Sequence, residues 1–379
     1  MAKRIHQSGA VSLFAVIFAA MLMTIITVGF IKLMIMDQRQ ATSNDLSQSA
    51  YDAALAGVED AKRVVGAAQL GNTAAISALE KPGCDTIARS GIAGTGANGE
   101  TVIKTGSAAG VSFDQAYTCV KISMESPDFL YKAVEEKTQL IPLRATNSFT
   151  KVVLEWYKRD DESNVSGADA KDTALDIEGS LPTKASWGGN TPSLLRAQII
   201  HPGDSFTDVR QLDATGVTAF LRPRVLSSEP SLAGTSLDAR LAVRPRATGD
   251  QTYNSNDVNV TACSKTFRFS GEYSCRAVID IDTVRAGSNN AFLRLNSIYK
   301  GASVRVSLQN DAGQTINFDG VQPIVDSTGR ASNLFRRVEA RLNIGDDFPY
   351  PENAVELKNS LCKDFSVTDN TYQAGACRP

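Results

Sequence analysis

The stretch SGAVSLFAVIFAAMLMTIITVGF, Ser8 to Phe30, decides how the rest of the chain is read. No charge occurs from Gln7 to Ile31. An α-helix needs ~20 apolar residues to cross a bilayer. Leu13–Met36 meets that with one interruption, Lys32, whose stem can lift its ammonium to the interface. Lys3, Arg4 and His6 precede the span, so under the positive-inside rule the N-terminus is expected in the cytoplasm and the remainder is exported. A cleaved secretory signal has an apolar core of about 7–15 residues and a small-residue cleavage site. This tract is longer, no such site follows it near Met36–Asp37, and helical sequence continues.

The continuation works outward from the apolar tract. Asp37 to Val65 contains no Pro and only one glycine, Gly57. Leu46, Ala50, Ala53, Gly57, Ala61 and Val64 recur at spacings of three and four and form one stripe, widened by Tyr51, Leu55, Val58 and Val65. Glu59 and Arg63 stand in the favourable i, i+4 order. The helix is expected to end near Gly66, with a break by Gly71–Thr73. From Ala10 to Val65 such a rod is about 80 Å long at 1.5 Å per residue. The expected segments are a basic leader 1–9, a transmembrane half 10–36, an amphipathic half 37–68 and an exported body 69–379. A membrane helix followed by an ordinary juxtamembrane coiled coil fits the stripe as well.

The body is soluble in composition. The whole chain of 379 residues carries 39 Lys and Arg against 41 Asp and Glu, and without a one-sign tail no nucleic-acid partner is indicated. Six cysteines follow the export segment: Cys84, Cys119, Cys263, Cys275, Cys362 and Cys377. None forms CxxC, and an even count in an oxidising space favours disulfides. Six cysteines allow fifteen pairings; the expectation is nearest neighbours, with reduced core thiols as the alternative. A Cys362–Cys377 bond would be worth about 3 kcal/mol of loop-closure entropy.

After Gly71 β-branched runs with polar alternation take over. Strands are expected at Tyr117–Met124, Lys151–Tyr157, Leu194–His201, Val217–Arg222, Ala239–Val243, Val258–Cys263, Tyr273–Ile281, Phe292–Leu295, Ser303–Leu308 and Leu334–Leu342. In the last, Leu334, Val338, Ala340 and Leu342 share one face, which Arg336 interrupts. Ser327-Thr328-Gly329 reads as a hairpin loop. Lys158–Ser193 reads as a long surface loop or linker, and Ser227–Gly234 as a second weak boundary between β-lobes. The fold class expected is α+β: a long N-terminal membrane and amphipathic helix packed on an antiparallel β-rich domain of one body or two lobes.

Little points to catalysis or to a cofactor. Of two histidines, His6 lies in the leader, and His201, near Asp204 and Ser205, has no GxSxG beside it. Gly94–Gly99, GTGANG, matches GxGxxG without the strand and helix the dinucleotide fingerprint requires, and reads as a loop. Asp280 and Asp282 lack the further oxygen ligands of a calcium loop, and no zinc spacing exists. Trp156 belongs to a core strand. Trp187, in a polar loop, is a candidate for ligand contact or for packing on its own domain. No enzymatic activity, metal or cofactor is expected.

A basic leader ending in Gly9, an apolar helix, and the continuation DQRQATSNDLSQSAYDAALAGVEDAKR resemble a type IV pilin-like subunit. The pattern Ala50, Ala53, Ala54, Ala56, Gly57, Glu59, Ala61 is similar to PilX-type minor pilins, and DSTGRASNLFRRVEARL near the C-terminus is similar to the late hairpin of pilin domains. The resemblance covers roughly the first 65 residues and Asp326–Leu342. It implies cleavage after Gly9 by a prepilin peptidase, leaving Ala10 as the N-terminus. It further implies packing against other pilin subunits, inner-membrane assembly machinery as a partner, and membrane lipid around the helix before assembly. Cytoplasmic-membrane residence would give way to a cell-surface filament, with contact or adhesion to a host or other surface by the β domain. Most family members carry Glu at the fifth mature position; here that position is Phe14. A buried carboxylate without its partner costs several kcal/mol, and a subunit at the tip has no partner above it. Phe14 therefore implies a minor, tip-proximal or assembly-priming subunit. The alternatives are a tip-class type II secretion pseudopilin, or a bitopic envelope receptor or enzyme outside any filament.

Overall fold

The computed structural model describes residues 9–94, 99–103, 114–161, 169–171, 184–201, 203, 217–238 and 258–343. Three helices come first: α1 (Gly9–Gln69), α2 (Thr73–Glu80) and α3 (Thr86–Arg89). The strands follow as β1 (Thr101–Val102), β2 (Gln115–Ser126), β3 (Phe129–Ala133), β4 (Thr138–Pro142), β5 (Phe149–Lys158), β6 (Leu194–Ile200), β7 (Val217–Leu226) and β8 (Thr235–Asp238). Then come β9 (Val258–Ser264), β10 (Tyr273–Val284), β11 (Phe292–Ile298), β12 (Ala302–Gln309), β13 (Thr315–Ile316), β14 (Phe318–Ala331) and β15 (Leu334–Arg341). The result is one long apolar N-terminal helix and a large, mixed β-rich region, an α+β fold.

Helix α1 is unbroken for 61 residues, about 90 Å at 1.5 Å per residue. It passes the expected stop near Gly66 and ends at Gln69. The end is built by Gly71, whose φ of 86° is the left-handed conformation that glycine adopts without strain. The Gly71 N–H donates to Ala68 O and the Asn72 N–H to Ala67 O, each at 3.0 Å, which closes the last turn as a Schellman motif. Asn72 then caps α2, its Oδ1 accepting from the Ala75 N–H at 3.1 Å.

Two compact units divide the chain. The first comprises residues up to Ser126 together with Gln322–Asn343; the second runs from Pro127 to Val321. The expected boundary at Ser227–Gly234 is therefore corrected: that segment links β7 to β8 inside the second unit.

In the first unit the second half of α1 lies on a sheet of order β1-β2-β14-β15. The β1–β2 and β14–β15 pairs are antiparallel. The Cys84–Cys119 disulfide ties the segment between α2 and α3 to β2. Ser327-Thr328-Gly329 is not a turn. It lies inside β14, paired with Val338, Arg337 and Arg336, and the chain reverses at Ser332 and Asn333 instead. Turn-forming residue types read locally as a loop, yet here they serve a close helix contact, described below.

The second unit is an 11-stranded sheet of order β13-β12-β5-β10-β9-β7-β6-β11-β4, with β3 on β12 and β8 on β10. Most pairs are antiparallel, but β7–β9 and β8–β10 run parallel, so the expected purely antiparallel body is corrected to a mixed one. One hydrophobic core draws side chains from both ends of the sheet order, from Ile316 of β13 to Ile141 of β4. Strand β5 lies between β10 and β12, with Val152, Leu154 and Trp156 in the core. Cys263 and Cys275 face each other directly across β9 and β10 and are joined. The Cys362–Cys377 pair and the Ala239–Val243 strand lie outside the described residues.

Candidate assembly helix and its docking sheet

Among the described residues nothing covers the first half of α1. Every large apolar side chain from Leu13 to Met36 is exposed, from 44 % at Ile35 to 75 % at Phe14. The segment is long and apolar enough to cross a membrane. Gly9 opens the helix and Ala10 follows within it. Leaving so much apolar surface in water is unfavourable at ~25 cal/mol per Å², so this half requires lipid or protein around it.

The second half is the reverse. Ala50, Ala53, Ala61 and Val64 are wholly buried, Gly57 is buried and Leu46 half-buried. Ala54, outside the expected stripe, is also wholly buried, while Tyr51 and Leu55 are exposed at 43 % and 36 %. The buried face is thus narrower and made of smaller residues than the apolar pattern indicated. Small residues let a backbone approach closely, and two glycines carry that approach here. A Cβ on Gly57 would stand 2.4 Å from Ser327 Oγ and 2.8 Å from Val120 Cγ2. A Cβ on Gly329 would stand 2.2 Å from both Ala50 O and Ala54 N. Helix backbone and strand β14 are therefore in direct contact, and Ser327 Oγ donates to Ala54 O at 2.7 Å.

Polar clasps fix the helix along its length. Arg336, which interrupts the apolar face of β15, reaches α1 and donates from Nε and a terminal nitrogen to Ser47 Oγ at 2.8 and 2.6 Å. The Tyr117 hydroxyl donates to Asp60 Oδ2 at 2.7 Å. Burial, with Asp60 beside it, pushes the Tyr117 hydroxyl well above its ordinary range and keeps it a donor. Arg63 pairs with Asp60 at 2.9 Å, not with Glu59 as the spacing suggested. The sequence pattern gives Ser327 and Gly329 as a hairpin loop, Ala54 as part of the Ala-rich run and Arg336 as an interruption of a strand face; it assigns none of them, nor Tyr117 or Ser47, to the helix contact. The one signal for them was an isolated glycine in an otherwise strand-like run, which often marks close backbone approach.

Across the outer face of the same sheet, Arg330 holds Glu100 at 2.6 Å and Asp114 at 2.8 Å, and Arg337 grips both oxygens of Asp326. The hydrogen bonds from Arg337 hold the Asp326 carboxyl below the usual range.

In the second unit the candidates for chemistry resolve into structure. Glu155, 3 % exposed, lies between Arg276 of β10 and Arg305 of β12 in register. Arg305 bonds Asp128 at 2.7 Å and Glu155 at 3.1 Å, and Ser270 Oγ donates to Glu155 at 2.7 Å. Burial works to lower the Arg305 pKa, but the bonds and charges of Asp128 and Glu155 outweigh it and raise it. Trp156 is wholly buried and donates from Nε1 to Ser193 O at 2.9 Å. Trp187 is packed on its own unit, stacked on Tyr299 at 4.5 Å and donating to Pro192 O at 3.2 Å, so it is not a contact waiting for a ligand. Asp280 pairs with Lys151 at 3.5 Å and accepts from Ser236, whereas Asp282 is exposed. His201 is half-buried at the end of β6; Asp204, Ser205 and most of GTGANG lie outside the described residues. Among the described residues no group of three or more His, Cys, Asp or Glu is placed to hold a metal ion.

No protein-family model, curated protein or solved structure matches this chain.

Proposed function

We propose that this chain is a structural, pilin-like subunit of a type IV pilus or related envelope filament, placed at or near the tip or acting in assembly priming. The observation that supports the reading best is the unbroken helix from Gly9 to Gln69, bare and apolar in front and clasped to a sheet behind. Such a rod can exchange lipid for neighbouring helices around its front half while the fold behind it stays unchanged. Before assembly the front half sits in the cytoplasmic membrane with the N-terminus inside. A prepilin peptidase cuts after Gly9, and Ala10 becomes the N-terminus. Neighbouring pilin subunits and the membrane assembly machinery are the partners, and the β-rich second unit makes surface contacts. Phe14 supports the tip or priming position, because a neutral ring there needs no partner from a subunit above. The chain's work in this reading is packing and display, with no catalytic step and no cofactor.

The test is the intact mass of the native N-terminus in wild type and in a strain lacking the peptidase, followed by shearing of surface filaments. The expected result is a peptidase-dependent start at Ala10 and a scarce presence in the sheared fraction. A start at Met1 or Ala2 with no chain in that fraction overturns the filament reading in favour of a plain bitopic anchor. Finding the chain as the most abundant filament component overturns the tip or priming position.

A further inference from the structure

Strand β15 ends the first sheet on one side, and among the described residues its outer edge pairs with nothing. The Leu342 N–H donates to Pro323 O at 2.8 Å, so in this antiparallel ladder the even-numbered residues of β15 turn their backbone groups toward β14. The backbone groups of Phe335, Arg337 and Glu339 therefore turn outward, and no hydrogen bond joins them to another strand among the described residues. All three residues are exposed, Phe335 at 56 %. An edge of this kind is a template for one more strand.

The helix beside that edge is uncovered as well. On its β2 side α1 is tied down by the bond from Tyr117 to Asp60. On its β15 side Ser47, Tyr51 and Leu55 follow one another at four-residue steps. Ser47 is held by Arg336, while Tyr51 and Leu55 stand exposed. Arg336 is itself exposed and meets only the neutral Ser47 hydroxyl; no carboxylate pairs with it among the described residues. Strands lie about 4.8 Å apart, so a strand added to β15 would lie about 10 Å from β14, at the flank of the helix where Tyr51 and Leu55 extend.

We propose that this edge receives an extended segment of a different protein, with an acidic residue facing Arg336 and an apolar residue two positions away facing Val338, Tyr51 and Leu55. The outward backbone groups select an extended chain, because a strand presents its own N–H and C=O groups at the matching repeat. The spacing of two follows from Arg336 and Val338, which share the α1 side of β15. The acid follows from the guanidinium without a counter-charge, which binds a carboxylate more strongly than a hydroxyl.

A second copy does not fit the edge. Gly329 abuts Ala50 and Ala54, while Ser327 bonds Ala54 O and abuts Gly57. Strand β14 thus runs against α1, and β15 runs with it. Two β15 edges paired antiparallel would send the two bare apolar halves of α1 in opposite directions, and one bilayer cannot hold both. Two edges paired parallel about a two-fold axis would set Arg336 and Arg337 beside their own copies, which is repulsive. The contact lies behind the apolar half of α1 and does not depend on a filament, so its failure leaves the pilin-like reading intact.

Two measurements on the full chain test the proposal. In detergent micelles, without a partner, the amides of Phe335, Arg337 and Glu339 should exchange about tenfold faster, or more, than those of Arg336 and Val338, which face β14. Equal protection would mean that the edge is already occupied and overturns the proposal. In the native envelope, benzoylphenylalanine in place of Tyr51 is photolysed and the linked peptides are identified by mass spectrometry. The expected product is one other polypeptide, linked within a segment that carries an acidic and an apolar residue two apart. Glu339→Pro should abolish the link, because the Glu339 N–H faces the free edge and proline there blocks an added strand without removing a β14 bond. Arg336→Glu should cut the link about tenfold, and changing the partner's acid to lysine should restore it. Should Glu339→Pro disturb the sheet, seen as faster exchange at Arg336 and Val338, the Arg336 series decides alone. A link within the chain itself, a link to a differently tagged second copy, no link at all, or a link indifferent to charge each overturns the proposal.

Discussion

Gly329→Ala puts the close contact between α1 and β14 to the test. The added methyl would lie 2.2 Å from Ala50 O and Ala54 N and 2.8 Å from Ala53 C, all of them helix backbone. Carbon contacts are comfortable at about 3.5–4.0 Å, so helix and strand must part by roughly 1 Å or more. No rotamer change can relieve a clash with main chain. Parting by that much stretches the 2.7 Å bond from Ser327 Oγ to Ala54 O beyond hydrogen-bond range, a loss of about 1 kcal/mol. It also loosens the seam of Ala50, Ala53, Ala54 and Ala61, all wholly buried, where overpacking costs about 1–3 kcal/mol. The sum is about 3 kcal/mol, or about a hundredfold in the opening equilibrium at 1.4 kcal/mol per tenfold. Hydrogen exchange of the Ala50–Ala61 amides, in the full chain in detergent micelles, reads that equilibrium directly. Gly66→Ala is the control: nothing lies within 4 Å of its added carbon, and helix propensity alone makes it stabilising by up to about 1 kcal/mol. If Gly329→Ala leaves protection within about threefold of wild type while the control behaves as stated, the close-contact argument is wrong.

Three further outcomes follow from the same geometry. Cys84 is exposed whereas Cys263 and Cys275 are wholly buried, so mild reductant followed by alkylation and mass spectrometry should label Cys84 and Cys119 well before the other pair; removing the Cys84–Cys119 bond, which spans 35 residues, should cost about 4 kcal/mol in the chain-entropy model. Arg337 lowers the Asp326 pKa, so this pair stabilises the fold above the unfolded carboxyl value of about 3.9 and the gain is lost as pH falls through the lower folded value; thermal unfolding should separate wild type from Asp326→Asn at pH 7, and the gap should narrow steadily as pH falls below about 3.9. Glu155→Gln leaves Arg305 and Arg276 without their shared buried charge, and denaturant unfolding of the second unit should show a loss of about 3–5 kcal/mol.

Much of the architecture was legible locally, and the exceptions share a cause. The helix declares itself in a long tract without proline, and β5, β10 and β12 declare themselves in runs such as KVVLEWY. Strands β3 and β4 escaped because FLYKA and TQLIP are too short to establish a period. Strand β14 escaped because Ser327-Thr328-Gly329 has turn chemistry, and local propensity has no knowledge of the helix backbone against which those small residues pack. Tyr51 and Leu55 misled for the related reason that an apolar residue near the stripe need not be covered when the docking sheet is narrow. Trp187 in a Gly-rich segment looked available until Tyr299, more than a hundred residues on, was found beneath it.

What sequence alone determined is whatever depends on neighbours a few residues away: an apolar span, a continuous helix, small residues on one face, and alternation in the stronger strands. Hydrophobic period and helix propensity are local quantities, and they suffice for these. Tertiary structure alone decided that Gln322–Asn343 returns to the helix as β14 and β15 while the intervening strands form a separate unit. It also decided that two glycines far apart in the chain meet at one seam. Those outcomes rest on which surfaces fit at van der Waals distance, and that fit is a property of pairs of segments that neither segment carries alone.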